Sequence, residues 1–498
     1  MVGNELCIDS CWYPPTMEWM WVAWGVTKYA PAWDGPHCFE VIENTIDFSG
    51  FLKYVDPLGS GGSPDTLPMR GVTIQMLDQD RGTSIDTLAT TSTDDSGYFD
   101  FGAVNNWDDA GVAGQELFFR IFAENVAAKA VESYGGVTYY VQTATENNIT
   151  SGVYDTTIVA TSVQSGYFLC IDEALDGQQK WYELRPDDSL SVLLELVIAA
   201  DSGYSRFDAD SNCVYVNDSA ITAKKAPDTF DRDVIQALFG KRIACEFSFC
   251  DSGSTAVCPV DSVVDPAYAA KEGFSRWWAS VVSESPNLVN TWNNYSDSFW
   301  VNVENGEFGT AGSTDSSRLG TANALGDANE VAVAGILWDI CDTIPDDYSG
   351  RDDWGIDTIP HTPDSVYDSL SISIDTVLLV FLDRGEVNGH NPKTMNEFWD
   401  AWFSSTSPGQ SSRMGDVWYE HGDSAVCCET PGDINGNGTG PDIADLVYLV
   451  NYMFKSGTDL PCEVVGDVNG NEVGPDIQDL VYFVNYMFKN GPDLADCP

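Results

Sequence analysis

The chain has 498 residues, of which 43% are hydrophobic, and it carries 77 acidic against 23 basic residues, a formal net charge of −54. This length exceeds what one hydrophobic core holds, so several domains are expected. The apolar content, with 16 Trp and 21 Tyr, excludes a disordered chain, and the negative charge argues against nucleic acid or anionic membranes as partners.

Residues 1–46 form an aromatic-rich N-terminal segment. No period of two or of 3.6 residues is sustained among its aromatic side chains, which are Trp12, Tyr13, Trp19, Trp21, Trp24, Tyr29 and Trp33. Such a concentration of aromatic surface needs a cover. Either the chain's own next domain supplies it, or a neighbouring copy does.

Residues 47–165 show the alternation expected of β-strands. Val72, Ile74 and Met76 alternate with polar residues, and the segment 116–121 alternates similarly, with Leu117, Phe119 and Ile121 on one face and Glu116, Phe118 and Arg120 on the other. The pattern Gly-Val-x-Ile, followed by Thr-x-Thr-Asp-x-x-Gly-Tyr-Phe-x-Phe and ending at Phe101, resembles the carboxypeptidase-regulatory or transthyretin-like β-sandwich over residues 47–130. That resemblance implies a spacer or adhesion unit without catalytic activity.

Residues 166–425 are predicted to form a mixed, mainly helical domain. Helical spacing of apolar residues is present in the segments Asp228–Ala244, Pro266–Val282, Asn329–Cys341 and Pro392–Ser404. Stretches rich in Gly, Asp and Ser separate these segments and are typical of loops.

Within this domain, the segment 231–244 resembles the active-site helix of gluzincin-type metallopeptidases, which reads Val-Ile-x-His-Glu-Phe-Gly-His. The segment 268–278 looks like the helix that carries the third, glutamate ligand, here Glu272, and the resemblance covers residues 225–422. A zinc peptidase needs two imidazoles four residues apart and a carboxylate base beside the first. Ala237, Leu238 and Lys241 stand in those places, so the resemblance implies a zincin-like domain that is catalytically inactive.

The last seventy or so residues contain one unit written twice. Asp433-Ile-Asn-Gly-Asn leads to Gly-Pro-Asp442-Ile-Ala-Asp445 and a helical run, and Asp467-Val-Asn-Gly-Asn leads to Gly-Pro-Asp476-Ile-Gln-Asp479 and a nearly identical run 34 residues later. Side-chain oxygens at alternate positions, a sharp turn and then a helix are how a chain binds calcium.

The predicted calcium ligands are two equivalent sets. They are Asp433, Asn435, Asn437, the Thr439 carbonyl, Asp442 and Asp445 in the first loop, and Asp467, Asn469, Asn471, the Val473 carbonyl, Asp476 and Asp479 in the second. Each loop is one residue longer than the usual twelve and closes with Asp rather than Glu, so weak binding, on the order of 10⁻⁴–10⁻³ M, is expected. Glu472 replaces the turn glycine of the first copy.

Residues 430–498 resemble a dockerin, a domain of two calcium loop–helix units that attaches proteins to cohesin domains on a scaffold or cell surface. The resemblance implies an attachment function and an α-helical paired-loop fold. Because its loops are longer than usual, this domain would be a divergent dockerin.

Cysteine usage and the ends of the chain bear on the compartment. Thirteen cysteines indicate an oxidising environment and disulfides, whose connectivity the spacing leaves open. No run reaches the roughly 18 apolar residues of a membrane helix. The first residues do not read as a signal peptide, so a processed, secreted or surface-bound form is expected.

The sequence therefore predicts a multidomain, extracellular, calcium-binding bacterial protein of structural or adhesive kind, whose partners are other copies of the chain or a cohesin-like surface protein. The aromatic N-terminal segment and the dockerin-like tail would give the chain a binding surface at each end, which would permit head-to-tail filaments. The alternatives are a dockerin-bearing extracellular hydrolase and a monomeric cohesin-bound module. Paired catalytic carboxylates cannot be picked out in a chain with 77 acids.

Overall fold

The structure is a computed structural model. It describes residues 5–8, 20–23, 26–29, 37–40, 44–57, 64–79, 85–106, 115–146, 149–188, 190, 193–199, 205–217, 232–246, 264–290, 299–303, 307–310, 318–321, 328–341, 372–382, 391–404, 417–418, 431–435, 440–455, 460, 463–471 and 475–494. The aromatic side chains of the N-terminal segment lie outside this described set, so what covers them stays a prediction. The predicted ligands Asn437, Thr439 and Val473 lie outside it as well.

Helices and several small sheets are mixed along the chain. The chain divides into two compact units: one contains Met1–Asn125 and Thr138–Ser165, and the other contains Val126–Val137 and Gly166–Pro498. No helix within the described residues combines the length and the hydropathy that crossing a membrane requires.

The first unit begins with four short strands, which are β1 Glu5–Ile8, β2 Met20–Ala23, β3 Val26–Tyr29 and β4 His37–Glu40. Strand β1 pairs antiparallel with β4, and β2 pairs antiparallel with β3.

The strands between residues 45 and 159 are β5 Thr45–Asp56, β6 Asp65–Pro68, β7 Thr73–Gln79, β8 Ile85–Ser92, β9 Tyr98–Asn105, β10 Leu117–Phe122, β11 Ala128–Val131, β12 Tyr140–Gln142 and β13 Gly152–Val159. One sheet has the order β12-β10-β7-β8. A second has the order β13-β5-β6, with β9 also paired to β5. Strand β11 belongs to the second unit.

The core of the first unit contains aromatic side chains from both of its four-stranded sheets. Every second residue of β5 is buried, and Phe48 of that strand contacts Phe119 of β10 with ring centroids 5.2 Å apart. The predicted alternation of residues 117–121 is wrong at Phe118, which is buried. The Arg120 guanidinium lies over the Phe118 ring at 5.6 Å and helps to cover that face of the strand.

The Asp-Ser-Gly segment that ends at Gly97 forms the turn that connects β8 to β9. Asp94 Oδ1 accepts hydrogen bonds from the Ser96 N–H at 2.8 Å and the Tyr98 N–H at 2.9 Å. Gly97 has φ +76°, and a Cβ there would lie 2.5 Å from the Leu52 carbonyl oxygen, so only glycine fits. The two strands join different sheets, and the turn is therefore a crossover between the sheets.

The second unit contains the helices α1 Ser162–Leu184 (its first four residues belong to the first unit), α2 Arg232–Glu246, α3 Pro266–Ser283, α4 Glu330–Cys341, α5 Ile374–Leu382 and α6 Met395–Ser404. The predicted helices at 228–244, 266–282, 329–341 and 392–404 are confirmed to within a few residues at each end. Helix α3 starts at Asp265-Pro266: the Asp265 carboxylate accepts from the Ala267 N–H, and Pro266 occupies the first turn.

Two four-stranded sheets accompany these helices. Strands β14 Leu194–Ala199, β15 Arg206–Asp208 and β16 Cys213–Asn217 form one with β11, in the order β11-β14-β16-β15. Strands β17 Asn287–Asn290, β18 Phe299–Asn302, β19 Glu307–Thr310 and β20 Arg318–Thr321 form an antiparallel meander.

The tail has two equal helices, α7 Ile443–Lys455 and α8 Ile477–Lys489, each preceded by its loop. Equivalent residues of the two copies share its core: Ile434 corresponds to Val468 and Leu449 to Phe483, and all four are buried. A loop–helix unit has too little apolar surface to fold alone, and pairing the two copies supplies one common core.

Cysteines Cys170, Cys213 and Cys341 carry thiols, whereas Cys245, in the last turn of α2, is disulfide-bonded. Burial raises the pKa of the Cys213 thiol to about 11, so this side chain behaves as a small core residue and not as a nucleophile.

Candidate functional site

The first loop of the repeat ends at a buried carboxylate. Asp445, in the first turn of α7, is fully buried. Its Oδ1 accepts a hydrogen bond from the Asn435 N–H at 3.1 Å, and its Oδ2 accepts one from the Asp442 N–H at 2.8 Å. Asp442 caps the helix by accepting from the Ala444 N–H at 2.6 Å. The Asp445 carboxylate therefore ties the start of the loop to the start of the helix.

The second loop repeats this arrangement 34 residues later. The fully buried Asp479 accepts from the Asn469 N–H at 3.3 Å and from the Asp476 N–H at 2.9 Å. Asp476 and Asp479 form a reciprocal capping box at the start of α8. Asp467 Oδ1 accepts from the Asn471 N–H at 3.1 Å, which curls the first half of the loop.

The carboxylates of each loop repel one another. Burial raises the pKa of Asp445. The N–H groups of Asp442 and Asn435 lower this pKa, and the Asp433 and Asp442 carboxylates raise it further. The pKa of Asp479 is raised for the same reasons, with Asp467 and Asp476 as the neighbouring carboxylates. No Lys or Arg of the described residues is among these influences on either carboxylate.

The first loop brings two carboxylate residues close to Gly440. Asp433 and Asp445 lie so close to Gly440 that a Cβ there would be 2.8 Å from Asp433 Cα and 3.0 Å from Asp445 Oδ2. These donors are oxygens, the atoms that calcium prefers. Among the described residues no three His, Cys, Asp or Glu side chains form a metal-holding group. The predicted ligand sets also include asparagine side-chain oxygens and backbone oxygens, which a group made of His, Cys, Asp and Glu side chains leaves out.

Both tail helices expose apolar side chains that the sequence analysis did not single out. These residues are Ile443, Val447 and Phe454 on α7 and Ile477, Val481 and Phe488 on α8, each 50–63% exposed. Each set repeats at intervals of four and seven residues and therefore lies along one face of its helix. The signal was present in the sequence as a second apolar stripe on helices whose first stripe fills the core.

The positions predicted from the peptidase resemblance lie in the helix core of the second unit. Ala237 and Leu238 of α2 are buried, and Lys241 Nζ lies 2.5 Å from Oε2 of Glu272 on α3. The structure thus brings together the second and third expected ligand positions, and they form an ion pair. An aliphatic pair and an ammonium group do not fit a zinc ion.

This ion pair belongs to a larger group of buried charges. Lys271 Nζ lies 3.9 Å from Glu272 Oε1, and Arg276 Nη2 donates to Oε1 of Glu330, on α4, at 2.7 Å. Burial lowers the pKa of Lys241, and the Glu272 carboxylate opposes this. Burial raises the pKa of Glu330 in spite of Arg276, and the Glu272 carboxylate adds to the rise. Helices α2, α3 and α4 therefore share one charged cluster.

No family model matches this chain, and no curated protein matches it. Among solved structures, a 9R-lipoxygenase from Cyanothece PCC8801 is 16% identical over 30% of this chain and 25% of that one, with a TM-score of 0.16. An (S)-allantoin synthase is 12% identical over 24% of this chain and 43% of the other, with a TM-score of 0.14. The matches span less than half the length of either protein, and TM-scores this low carry no argument about fold or function.

Another buried acid, Glu173, lies between α1 and α2. Glu173 accepts a hydrogen bond from Gln236 Nε2 at 3.0 Å, and its Oε1 lies 3.5 Å from Nε of Arg232. Burial raises the pKa of Glu173 to about 7, although Arg232 and Gln236 lower it. Gly177, on the next turn of α1, permits the close approach, because a Cβ there would lie 2.9 Å from Phe239 Cδ1.

Proposed function

We propose that this chain is an extracellular, calcium-binding bacterial protein of structural or adhesive kind, which attaches through its tail. Its body combines a transthyretin-like β-sandwich with a metallopeptidase-like domain that has lost catalysis, and residues 430–498 act as a dockerin-like module. The observation that carries the proposal is the repetition of one buried carboxylate, Asp445 and Asp479, in two loops 34 residues apart.

Calcium is supported by the charge of these loops. Asp433, Asp442 and Asp445 crowd together without a basic side chain among the groups that set the pKa of Asp445. Bound calcium would neutralise these carboxylates, and Asp433, Asn435 and Asp445, with their counterparts Asp467, Asn469 and Asp479, would hold it. The remaining predicted donors complete each set.

Calcium titration of the full chain by isothermal calorimetry tests this assignment. We expect two weak sites, with Asp445→Asn and Asp479→Asn each weakening one of them at least about tenfold, because each removes a charged ligand. The matched control is Asp493→Asn, an exposed acid in the same tail, which should leave both sites unchanged. Equal calcium binding by all three variants would refute the assignment.

Attachment is supported by the two exposed apolar stripes of α7 and α8. Soluble proteins seldom leave such ordered apolar rows open unless a partner covers them. The partner is another copy of this chain or a cohesin-like protein at the cell surface. Sedimentation velocity of the purified chain with calcium and with a chelator separates these two, since self-association needs no second protein.

The absence of peptidase activity is supported by the Lys241–Glu272 ion pair at the expected ligand positions. Elemental analysis and a proteolysis assay test it. Stoichiometric zinc accompanied by chelator-sensitive proteolysis would overturn this part of the proposal. The disulfide at Cys245 supports an extracellular location, since such bonds persist in oxidising compartments.

A further inference from the structure

Glycines beside two charged residues let the three helices approach closely. Gly240 precedes Lys241 on α2, and a Cβ on it would lie 2.9 Å from Trp278 Cβ and 3.0 Å from Ser275 Cα of α3. Gly273 follows Glu272 on α3, and its Cβ would lie 2.5 Å from Val333 Cβ and 2.8 Å from the Glu330 carbonyl oxygen of α4. Because Gly240 and Gly273 lack side chains, α2 lies close enough to α3 for Lys241 to reach Glu272. For the same reason α3 lies close to α4, which brings Glu272 towards Glu330.

Charges of both signs meet where these helices pack together. Among the described residues, Lys241 and Lys271 lie beside Glu272, and Arg276 pairs with Glu330. All five residues are buried. A buried carboxylate is stable only with a nearby cation and hydrogen bonds, and the Lys241 ammonium group is such a cation for Glu272.

The position of Lys241 distinguishes this pair from an ordinary buried salt bridge. In a zinc peptidase, the ligand four residues after the first histidine and the glutamate of the later helix meet only through the metal they share. Here the side chains at those two positions touch directly, with Nζ and Oε2 2.5 Å apart. The ammonium group thus occupies the space between ligand positions of α2 and α3.

We propose that the Lys241 ammonium is the resident cation of this helix core: it takes the structural place of a divalent metal between α2 and α3, so that the domain folds without one. The comparison with a metal site rests on the proposed peptidase-like scaffold. The role of Lys241 as the cation that holds Glu272 does not.

The first experiment is a double-mutant cycle in the full chain with Lys241→Met, Glu272→Gln and the double variant. Hydrogen exchange of α2 and α3, followed by mass spectrometry, is the measurement. Lys241→Met removes the nearer cation of Glu272, and Glu272→Gln removes the carboxylate that pairs with Lys241. Each should raise the opening of these helices roughly 100-fold. The double variant should recover most of that loss.

Two controls keep this cycle interpretable. Lys241→Arg keeps a cation, so its helices should lose less protection from hydrogen exchange than those of Lys241→Met. Lys241→Arg still gives a measurement where Lys241→Met is too unstable to purify. Lys180 and Glu284 form a more exposed pair at 3.8 Å, and the same cycle on them should show almost no coupling. Equal losses that simply add in the Lys241–Glu272 cycle would overturn the inference.

A metal-binding arm separates this inference from the proposed scaffold. The variant Ala237→His with Lys241→His, which keeps Glu272, should bind one zinc ion and regain helix protection when zinc is added, and a further Glu272→Gln change should abolish both effects. Coupling in the cycle without zinc binding would leave Lys241 as the resident cation and refute the peptidase-like geometry. Zinc binding without coupling would refute the role of Lys241.

Discussion

Leu494 lies against Gly432, so that a side chain beyond the second repeat helix packs on the start of the first loop, next to Asp433. A Cβ on Gly432 would collide with Leu494 Cδ1. The equivalent contact is made by Leu460, which lies 2.9 Å from the place of a Cβ on Gly466. Each loop is thus held by the segment that follows the other copy's helix, and the tail closes on itself.

This closure predicts that Leu494→Ala destabilises the tail by about 1–2 kcal/mol, since a half-buried leucine loses most of its apolar contact. Calcium binding should weaken at the first loop more than at the second, because Gly432 adjoins Asp433. Ile477→Ala, at an exposed position on α8, is the control and should change neither quantity. Thermal unfolding and calorimetric titration measure the two effects.

The raised pKa values of Asp445 and Asp479 predict an unusual pH dependence. A carboxyl group whose pKa is higher in the folded than in the unfolded state binds its proton better when folded, so the calcium-free tail should gain stability as the pH falls from neutral towards those raised values. Protons and calcium compete for the same carboxylates, so calcium affinity should fall over that range. Unfolding in chelator and titration with calcium, each across pH 7 to about 4, measure the opposite trends.

The variants Asp445→Asn and Asp479→Asn provide the test of this assignment. Each removes one titrating group and should reduce the pH dependence of the calcium-free tail. An unchanged slope in the double variant would show that other carboxylates cause it.

Glu173 predicts a pH effect in the helical part of the second unit. Its pKa of about 7 exceeds that of an exposed glutamate, so the ionised form destabilises the folded state above pH 7 and the neutral form costs nothing below about pH 5. Glu173→Gln should therefore stabilise the fold at pH 8 by an amount on the order of 3 kcal/mol and have little effect at pH 5. Denaturant unfolding at both pH values measures the difference. Glu183→Gln, in the exposed last turn of α1, should be neutral at both.

The exposed stripes predict that docking and calcium binding can be separated. Val447→Asp and Val481→Asp place a charge at the centre of each stripe, and together they should abolish calcium-dependent association, since neither side chain contributes to the core. Light scattering with and without calcium follows the assembly. Calcium affinity and thermal stability should stay near those of the unsubstituted chain, and retained association in the double variant would place the docking surface elsewhere.

An N-terminal truncation addresses the predicted head-to-tail assembly. Removing residues 1–43 should reduce assembly size if the aromatic segment binds in a neighbouring copy. Unchanged size by negative-stain imaging would refute that role and leave the tail stripes as the contact surface.

Helices were predictable here because their signals are local. The Asp265-Pro266 start of α3 and the repeated Gly-Pro-Asp-Ile start of α7 and α8 combine capping side chains with apolar residues at helical spacing. The Asp-Ser-Gly turn at Gly97 was equally predictable, because its signal is also local. Its role as a crossover was not, since the pairing of β8 and β9 depends on strands far away in the sequence.

The candidate loops were visible in the sequence because a cation site of this kind is built from neighbours within one short segment. Residues Asp433 to Asp445 and Asp467 to Asp479 carry their chemistry in their spacing, and the 34-residue repeat determines which residues are equivalent. The sequence by itself therefore determined the repeat, the acidic and amide side chains of its loops and the positions of six helices, but not those of α1 and α5.

Only the tertiary structure decided which charges meet across helices. Lys241, Glu272 and Glu330 are far apart in sequence, and nothing local indicates that glycines 240 and 273 draw α2, α3 and α4 close enough for Lys241 to pair with Glu272 and for Arg276 to pair with Glu330. The physical reason is that a local motif draws its energy from neighbouring residues, whereas buried ion pairs and exposed apolar faces depend on which surfaces packing covers and which it leaves open.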